Sequence, residues 1–177
     1  MRRVAVIGPP GTGKSTLSRR LAQITGLPLI HLDRLFWSEG WVSTPRDQWE
    51  REVRRMVAGD EWIIDGNYAS TLGIRLEVAD TVILLDLPRS IYIRRVITRM
   101  LRAFIRRETR PDLASGCPER PDANFFRFLH YVWGFHQSGR PGLLRYLDDL
   151  PTGTTLLWLR GPREIKGMIS EAERSRG

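Results

Sequence analysis

Gly8-Pro9-Pro10-Gly11-Thr12-Gly13-Lys14-Ser15-Thr16 follows directly on the apolar run Val4-Ala5-Val6-Ile7. The stretch fits G-x-x-x-x-G-K-[ST], a pattern that demands a buried strand before it and a helix after it. Glycines at 8, 11 and 13 permit backbone angles that let successive N–H groups converge on phosphate oxygens, and a helix opening near Lys14 adds its positive end. Residues 8–16 are therefore expected to wrap the phosphates of a nucleotide, with Lys14 reaching the β and γ oxygens and the Ser15 hydroxyl meeting a Mg²⁺ ion. Of 28 basic residues only Lys14 and Lys166 are lysines. A chain that otherwise uses arginine has put a compact ammonium where this motif needs one.

With 177 residues, 41% of them hydrophobic, the chain has material for one well-buried core and too little for two ordinary domains. The longest apolar run, Thr81 to Leu85, falls far short of the about 20 residues that span a bilayer, so no membrane partner is expected. The loop begins at Gly8, so no cleavable leader is expected. One cysteine, Cys117, excludes an internal disulfide and suits a reducing cytoplasm. The net charge of +8 favours anionic partners, whether nucleotides, phosphorylated metabolites or nucleic acid.

Strand patterns alternate with helical ones, and several strands read as continuous apolar runs, as strands buried on both faces of a parallel sheet do. Leu17, Leu21 and Ile24 mark the first helix; Leu29 to Leu32 reads as a second strand ending at Asp33. A polar and aromatic segment leads to a helix with Thr44 as its cap, Pro45 in the first turn and Trp49, Val53, Met56 and Val57 on one face; Gly59 closes it. Trp62 to Asp65, Thr81 to Leu85 and Thr154 to Leu159 are the third, fourth and fifth strands, and Arg163 to Arg174 a closing helix. Asp33, Asp65 and Asp86 thus stand at strand ends on the edge where such sheets bind ligands. Asp65 is placed to hold a water on Mg²⁺, and Asp33 to accept a proton from an acceptor hydroxyl. Asp86, before Leu87-Pro88, reads as a helix-entry residue.

Seven arginines and no acid lie between Leu87 and Arg107. Arg95, Arg99, Arg102 and Arg106 share one helical face, with Ile93, Ile97, Met100, Leu101 and Phe104 on another. An all-basic face repels itself unless something anionic meets it, and a triphosphate or a nucleic-acid backbone would serve. The stretch 106–122, rich in charge, Pro and Gly, suits a flap that excludes water. Six aromatics crowd residues 125–135; most are expected in the core, with some lining an acceptor pocket or a dimer contact. The three histidines show no zinc-ligand spacing.

The order of the phosphate loop, Asp33 with Phe36-Trp37, Trp62-Ile-Ile-Asp-Gly-Asn-Tyr68, the run from Ala79 to Pro88 and Gly116-Cys-Pro-Glu-Arg120 resembles the adenylate-kinase-related topology modulation proteins. The resemblance covers most of the chain up to about Phe135, with Asp65-Gly-Asn-Tyr68 its most distinctive part. That family's name implies an effect on DNA supercoiling, while its fold implies a small-molecule kinase. The resemblance implies a three-layer α/β sandwich with a five-stranded parallel sheet in the order 2-3-1-4-5, an acceptor-side insertion at 34–59 and an arginine lid at 106–122. Arg110 and Arg120 are similar to the lid arginines and Arg99 to the arginine before the lid, so these three join Lys14 and Asp33 as candidate catalytic residues. Adenylate kinases carry Phe-Pro-Arg where Asn67-Tyr68 stand here, which argues against AMP as acceptor. Asp33 before Phe36-Trp37 is similar instead to uridine-kinase-like enzymes, which phosphorylate a hydroxyl.

The sequence therefore reads as an ATP- and Mg²⁺-dependent kinase of a small acceptor, monomeric or homodimeric. Asp33, Phe36, Trp37, Asn67, Tyr68 and Arg75 are the candidate acceptor contacts, and Arg163, in the loop after the fifth strand, is expected against the base. The alternative is a nucleotide-dependent, DNA-associated protein.

Overall fold

A computed structural model of the chain describes residues 1–106, 111–117 and 120–175. Five parallel strands make the central sheet: β1 (Arg3–Ile7), β2 (Leu29–His31), β5 (Trp62–Asp65), β6 (Thr81–Leu85) and β7 (Thr155–Leu159). Their order is β2-β5-β1-β6-β7. This is the expected 2-3-1-4-5 arrangement once a separate two-stranded hairpin, β3 (Trp37–Ser38) with β4 (Val42–Ser43), is set aside.

Alternation along the strands builds two cores. Ala5, Ile7, Ile64, Val82 and Leu84 face one side, where α3 (Arg46–Val57), α4 (Ala69–Val78) and α6 (Ala123–Asp148) bring Trp49, Val53, Leu72, Leu76, Leu143 and Leu147. Val4, Val6, Ile63, Ile83 and Leu85 face the other, against Leu17 and Leu21 of α1 (Lys14–Thr25) and Met168 of α7 (Pro162–Arg174). Each fully buried Ile or Leu contributes about 1.5–3 kcal/mol, and that explains why both strand faces read as apolar.

Register sets the working edge. Val6 pairs with Asp65 across β1 and β5, and His31 with Asp65 across β2 and β5, so the end of β2, the end of β5 and the start of the phosphate loop lie side by side.

Several local expectations give way. Asp33 does not end a strand; β2 stops at His31 and Asp33 lies in the first turn of the short helix α2 (Leu32–Phe36). Thr44 does not cap α3: its hydroxyl donates to the Phe36 carbonyl at 2.8 Å, fastening the hairpin to α2, and Pro45 precedes the helix. Asp86 is not a helix-entry residue. It takes a two-pronged bond from Arg140 and another from Trp158 Nε1 at 3.0 Å, tying α6 to the end of the sheet. In α5 (Arg89–Arg106) the buried positions are Tyr92, Val96 and Met100, packed on Phe125 and Val132 of α6. Leu101, one step round the helix, and Phe104, in its last turn, stay exposed. Among the described residues, no helix is long and apolar enough to cross a membrane.

Candidate active site

The loop after β1 has the shape its glycines allow. Gly8, Gly11 and Gly13 all have positive φ, and a Cβ on Gly8 would stand 2.3 Å from the Leu85 carbonyl oxygen. Only glycine fits there. Lys14 Nζ donates to the carbonyls of Gly8 at 2.8 Å and Pro9 at 3.0 Å, which holds the ammonium inside the turn. The Thr12 hydroxyl is buried and donates to Pro9 O at 2.8 Å, while Arg95 Nη1 donates to the Thr12 carbonyl at 2.9 Å.

A cleft of about 1150 Å³ opens beside this loop. Pro10, Gly11, Gly13, Lys14, Ser15 and Thr16 line it; Gly8, Pro9 and Thr12 do not, and support the loop from behind. Of the other sequence candidates, Asp33, Trp37, Asp65, Asn67, Tyr68, Arg99 and Arg120 also reach the cleft. Arg110 lies outside the described residues.

Four candidates serve differently from expectation. Asn67 lines the cleft, but its amide is committed to Gly8, accepting from Gly8 N at 2.9 Å and donating to Gly8 O at 2.8 Å. The side chain thus couples the turn after β5 to the phosphate loop. Arg75 is not an acceptor contact: it is fully buried, and its two terminal nitrogens donate to the carbonyls of Gly66, at 2.7 Å, and Asn67. Burial brings its pKa down to about 10, with the Asp65 carboxylate opposing, so it stays charged at neutral pH. Phe36 stands one layer behind the cleft, its ring 4.6 Å from Tyr68, 4.9 Å from Trp37 and 5.1 Å from Trp49. Arg163 is exposed in the first turn of α7 and does not line the cleft.

The polar centre of the cleft is a pair of bonds. The Tyr68 hydroxyl, with Trp37 beside it, donates to Asp33 Oδ1 at 2.7 Å. Burial, reinforced by the Asp33 charge, pushes the Tyr68 phenol far above its ordinary pKa, so Tyr68 remains the donor. Beside it His31 Nδ1 meets Asp65 Oδ1 at 2.7 Å, with side-chain exposures of only 12% and 5%. Asp65 so fixes the ring through one nitrogen and leaves the other to face its surroundings. His31 carries no sequence motif; its place at the end of β2, in register with Asp65, is the signal that points to it.

Helix α6 supplies one wall. Phe125, Phe128, Tyr131, Phe135, Ser138, Gly142 and Tyr146 recur every third or fourth residue along a single cleft-facing stripe, aromatic first and small in the middle. Burial and the charge of Asp33 both raise the Tyr131 pKa, which places Tyr131 within electrostatic reach of that carboxylate. Trp37 and Trp41, packed edge to face at 5.6 Å, stand at the hairpin. Among the described residues only Trp41 and Tyr68 hold a positive φ without being glycine, and both line the cleft.

A phosphate loop at the head of a 2-5-1-6-7 sheet, opening into a cleft that Asp33 and Tyr68 also line, defines a P-loop kinase of small molecules, dependent on ATP. Relatives narrow this. Shikimate kinase of Rhodococcus jostii (strain RHA1) is 31% identical over 140 residues, covering 71% of this chain and 78% of that protein. The chain belongs to the shikimate kinase family. A match to shikimate kinase of Leptospira borgpetersenii serovar Hardjo-bovis (strain JB197), 43% identical over 49 residues, spans only 27% of that protein's length. The sequence pattern of the ATPase family associated with various cellular activities (AAA) matches residues 4–56, the phosphate loop and its neighbours. Among solved structures, shikimate kinase from Acinetobacter baumannii in complex with shikimate superposes with a TM-score of 0.58 at 13% identity, covering 97% of this chain and 90% of that one. Shikimate kinase from Bacteroides thetaiotaomicron gives 0.55 at 14% identity, covering 98% and 97%. At such identities these two speak for the fold.

Proposed function

We propose that the chain moves the γ-phosphoryl group of ATP onto a hydroxyl of a small acceptor seated against Asp33. The observation that carries this is the Tyr68–Asp33 bond, which holds a carboxylate in the same cleft that Lys14 and Ser15 line. The acceptor oxygen forms the new bond to phosphorus as the bond from phosphorus to the β–γ bridging oxygen breaks, and ADP leaves with that electron pair. The hydroxyl proton passes to Asp33 and then to solvent.

Lys14, Arg99 and Arg120, with Arg110 from the lid-like stretch 106–122, would neutralise the charge that spreads over the phosphoryl oxygens. Gly116 and Cys117 of that stretch already touch the hairpin: Gly40 N donates to Gly116 O at 3.0 Å and Cys117 Sγ to Ser38 O at 3.1 Å. These two bonds support reading 34–59 and 106–122 as an acceptor-side insertion and a lid. Among the described residues no three His, Cys, Asp or Glu side chains gather as a metal cluster. Ser15 and Asp65, which both line the cleft, suit Mg²⁺, an ion that takes most of its ligands from phosphate and water: the Ser15 hydroxyl would hold it directly and Asp65 through a water. When bound, the ion supplies charge neutralisation to the phosphates. The base would rest near the loop between β7 and α7, where Arg160 stands.

The test is ADP release coupled to NADH oxidation with a panel of hydroxylated metabolites, shikimate and sugars included. Asp33→Asn should abolish acceptor-dependent ADP formation while ATP binding persists; unchanged turnover would remove Asp33 from the mechanism. The resemblance to topology modulation proteins keeps a second reading, since Arg102 and Arg106 lie exposed beyond the cleft. It requires duplex binding that weakens steeply with salt and DNA-dependent ATP turnover.

A further inference from the structure

His31 and Asp65 end neighbouring strands, and their order in the sheet gives them different neighbours. The phosphate loop follows β1; Asp65 ends β5, the next strand, and His31 ends β2, one strand further out. At about 4.8 Å per strand, Asp65 stands about 5 Å to the side of the strand that feeds the loop, and His31 about 10 Å. His31 therefore shares the column of Asp33, two residues on in α2, and their Cα atoms lie within about 7 Å of each other. Both side chains line the cleft. The His31 ring is held: Nδ1 meets Asp65 Oδ1 at 2.7 Å, with the side chain only 12% exposed. An ionised carboxylate only accepts, so Nδ1 carries the proton of this bond. Nε2 is not sealed in the interior as the unpartnered Trp49 Nε1 and Trp62 Nε1 are, and it stays open to the cleft.

We propose that His31 is a substrate-contacting residue: its Nε2 hydrogen-bonds a second hydroxyl of the acceptor, next to the one that Asp33 takes, so that the pair selects two neighbouring hydroxyls. Asp65 orients the ring through Nδ1 and Tyr68 orients the carboxylate through Oδ1, which fixes both contact points before the acceptor arrives. A hydroxyl suits Nε2 better than any anionic oxygen does. It both donates and accepts, so it meets that nitrogen with or without a proton on it, whereas an anionic oxygen only accepts. An acceptor lacking the second hydroxyl would leave the ring nitrogen shielded from water and unpaired, which is how a site built for a hydroxyl rejects the analogue without one. This selectivity rests on the kinase reading given above and holds for anionic and neutral acceptors alike.

The experiment pairs compounds that differ in one of two neighbouring hydroxyls: shikimate and 4-deoxyshikimate, glucose and 2-deoxyglucose, adenosine and 2′-deoxyadenosine. Each is titrated calorimetrically against the protein with Mg·ADP and assayed for turnover with Mg·ATP. In the parent, the diol of at least one pair should bind about tenfold more tightly than its deoxy partner. His31→Asn sets an amide nitrogen where Nδ1 stands, so it keeps the bond to Asp65 and removes Nε2; His31→Gln reaches the Nε2 position instead. The diol preference should shrink to about twofold or less in His31→Asn, with Mg·ADP affinity and melting temperature unmoved, and return in part in His31→Gln. A preference that survives in His31→Asn overturns the inference. So does a fall in nucleotide affinity and melting temperature in His31→Asn, which marks a histidine that only supports the fold. Indifference of the parent to the second hydroxyl in every pair, or no binding of any compound while Mg·ADP binds, also overturns it and leaves the kinase standing. A parent protein that binds no Mg·ADP overturns the kinase reading instead.

Discussion

Asn67→Ala isolates the link between the phosphate loop and the turn after β5. The substitution removes both bonds to Gly8, at 2.9 and 2.8 Å. The Gly8 carbonyl keeps Lys14 Nζ at 2.8 Å, but the Gly8 N–H, on a buried residue, loses the partner that Asn67 provides. An orphaned buried donor costs about 1–3 kcal/mol and the second, neutral bond about 1, so roughly 2–4 kcal/mol is at stake. Felt wholly in nucleotide affinity, that is roughly 30- to 700-fold in Kd. Felt wholly in folding, it lowers the melting temperature by roughly 4–16 °C. Calorimetric titration with Mg·ATP and thermal unfolding, run on the same preparation, should share the loss between them. Asn67→Asp keeps an acceptor for the N–H yet sets a charged oxygen against the Gly8 carbonyl and the phosphates, so it should bind ATP more weakly than the Ala variant. A variant Asn67→Ala that binds ATP within twofold of the parent and melts within about 1 °C of it would refute the coupling.

Tyr68→Phe breaks the bond to Asp33; bonds to charged groups contribute about 1.5–3 kcal/mol, so acceptor kcat/KM should fall roughly 10- to 100-fold with KM for ATP unmoved. Arg75→Met strands two carbonyls in the interior and should cost about 3–5 kcal/mol in urea unfolding while relative acceptor preferences stay the same. A shift in acceptor KM at unchanged stability would return Arg75 to the acceptor site. Burial would raise the Asp86 pKa, but the bonds from Arg140 and Trp158 outweigh it and hold the group below its ordinary value. A lowered folded-state pKa stabilises above the unfolded value and loses that contribution as pH falls through the folded one, so stability measured from pH 5 downward should fall less steeply in Asp86→Asn than in the parent.

The strand–loop–helix unit was legible because its requirements are local: an apolar run, glycines where φ is positive, a lysine at a fixed offset. Continuous apolar strands pointed to a parallel sheet buried on both faces, and its order came from the resemblance alone. What escaped was the direction in which neighbouring side chains leave a turn. Residues 65–68 each act differently: Asp65 on His31, Gly66 through its carbonyl on Arg75, Asn67 on Gly8 and Tyr68 on Asp33. The left-handed backbone at Tyr68, φ 37°, sends the chain into α4 and decides which of them face the cleft. Arg75 looked like a ligand because sequence shows a charge and hides its burial. The aromatics of 125–135 exceed one helical face, and only a helix that continues through Pro141 reveals the stripe.

The central claim is that loop-held ATP and an Asp33-held hydroxyl share one cleft. A crystal structure with Mg²⁺, ADP and the acceptor tests it most directly. The account predicts the β-phosphate on the backbone amides of 11–16 and an acceptor hydroxyl within about 3 Å of an Asp33 oxygen, on the open side of that phosphate. An acceptor bound away from Asp33, or a nucleotide whose phosphates avoid the loop, would contradict it.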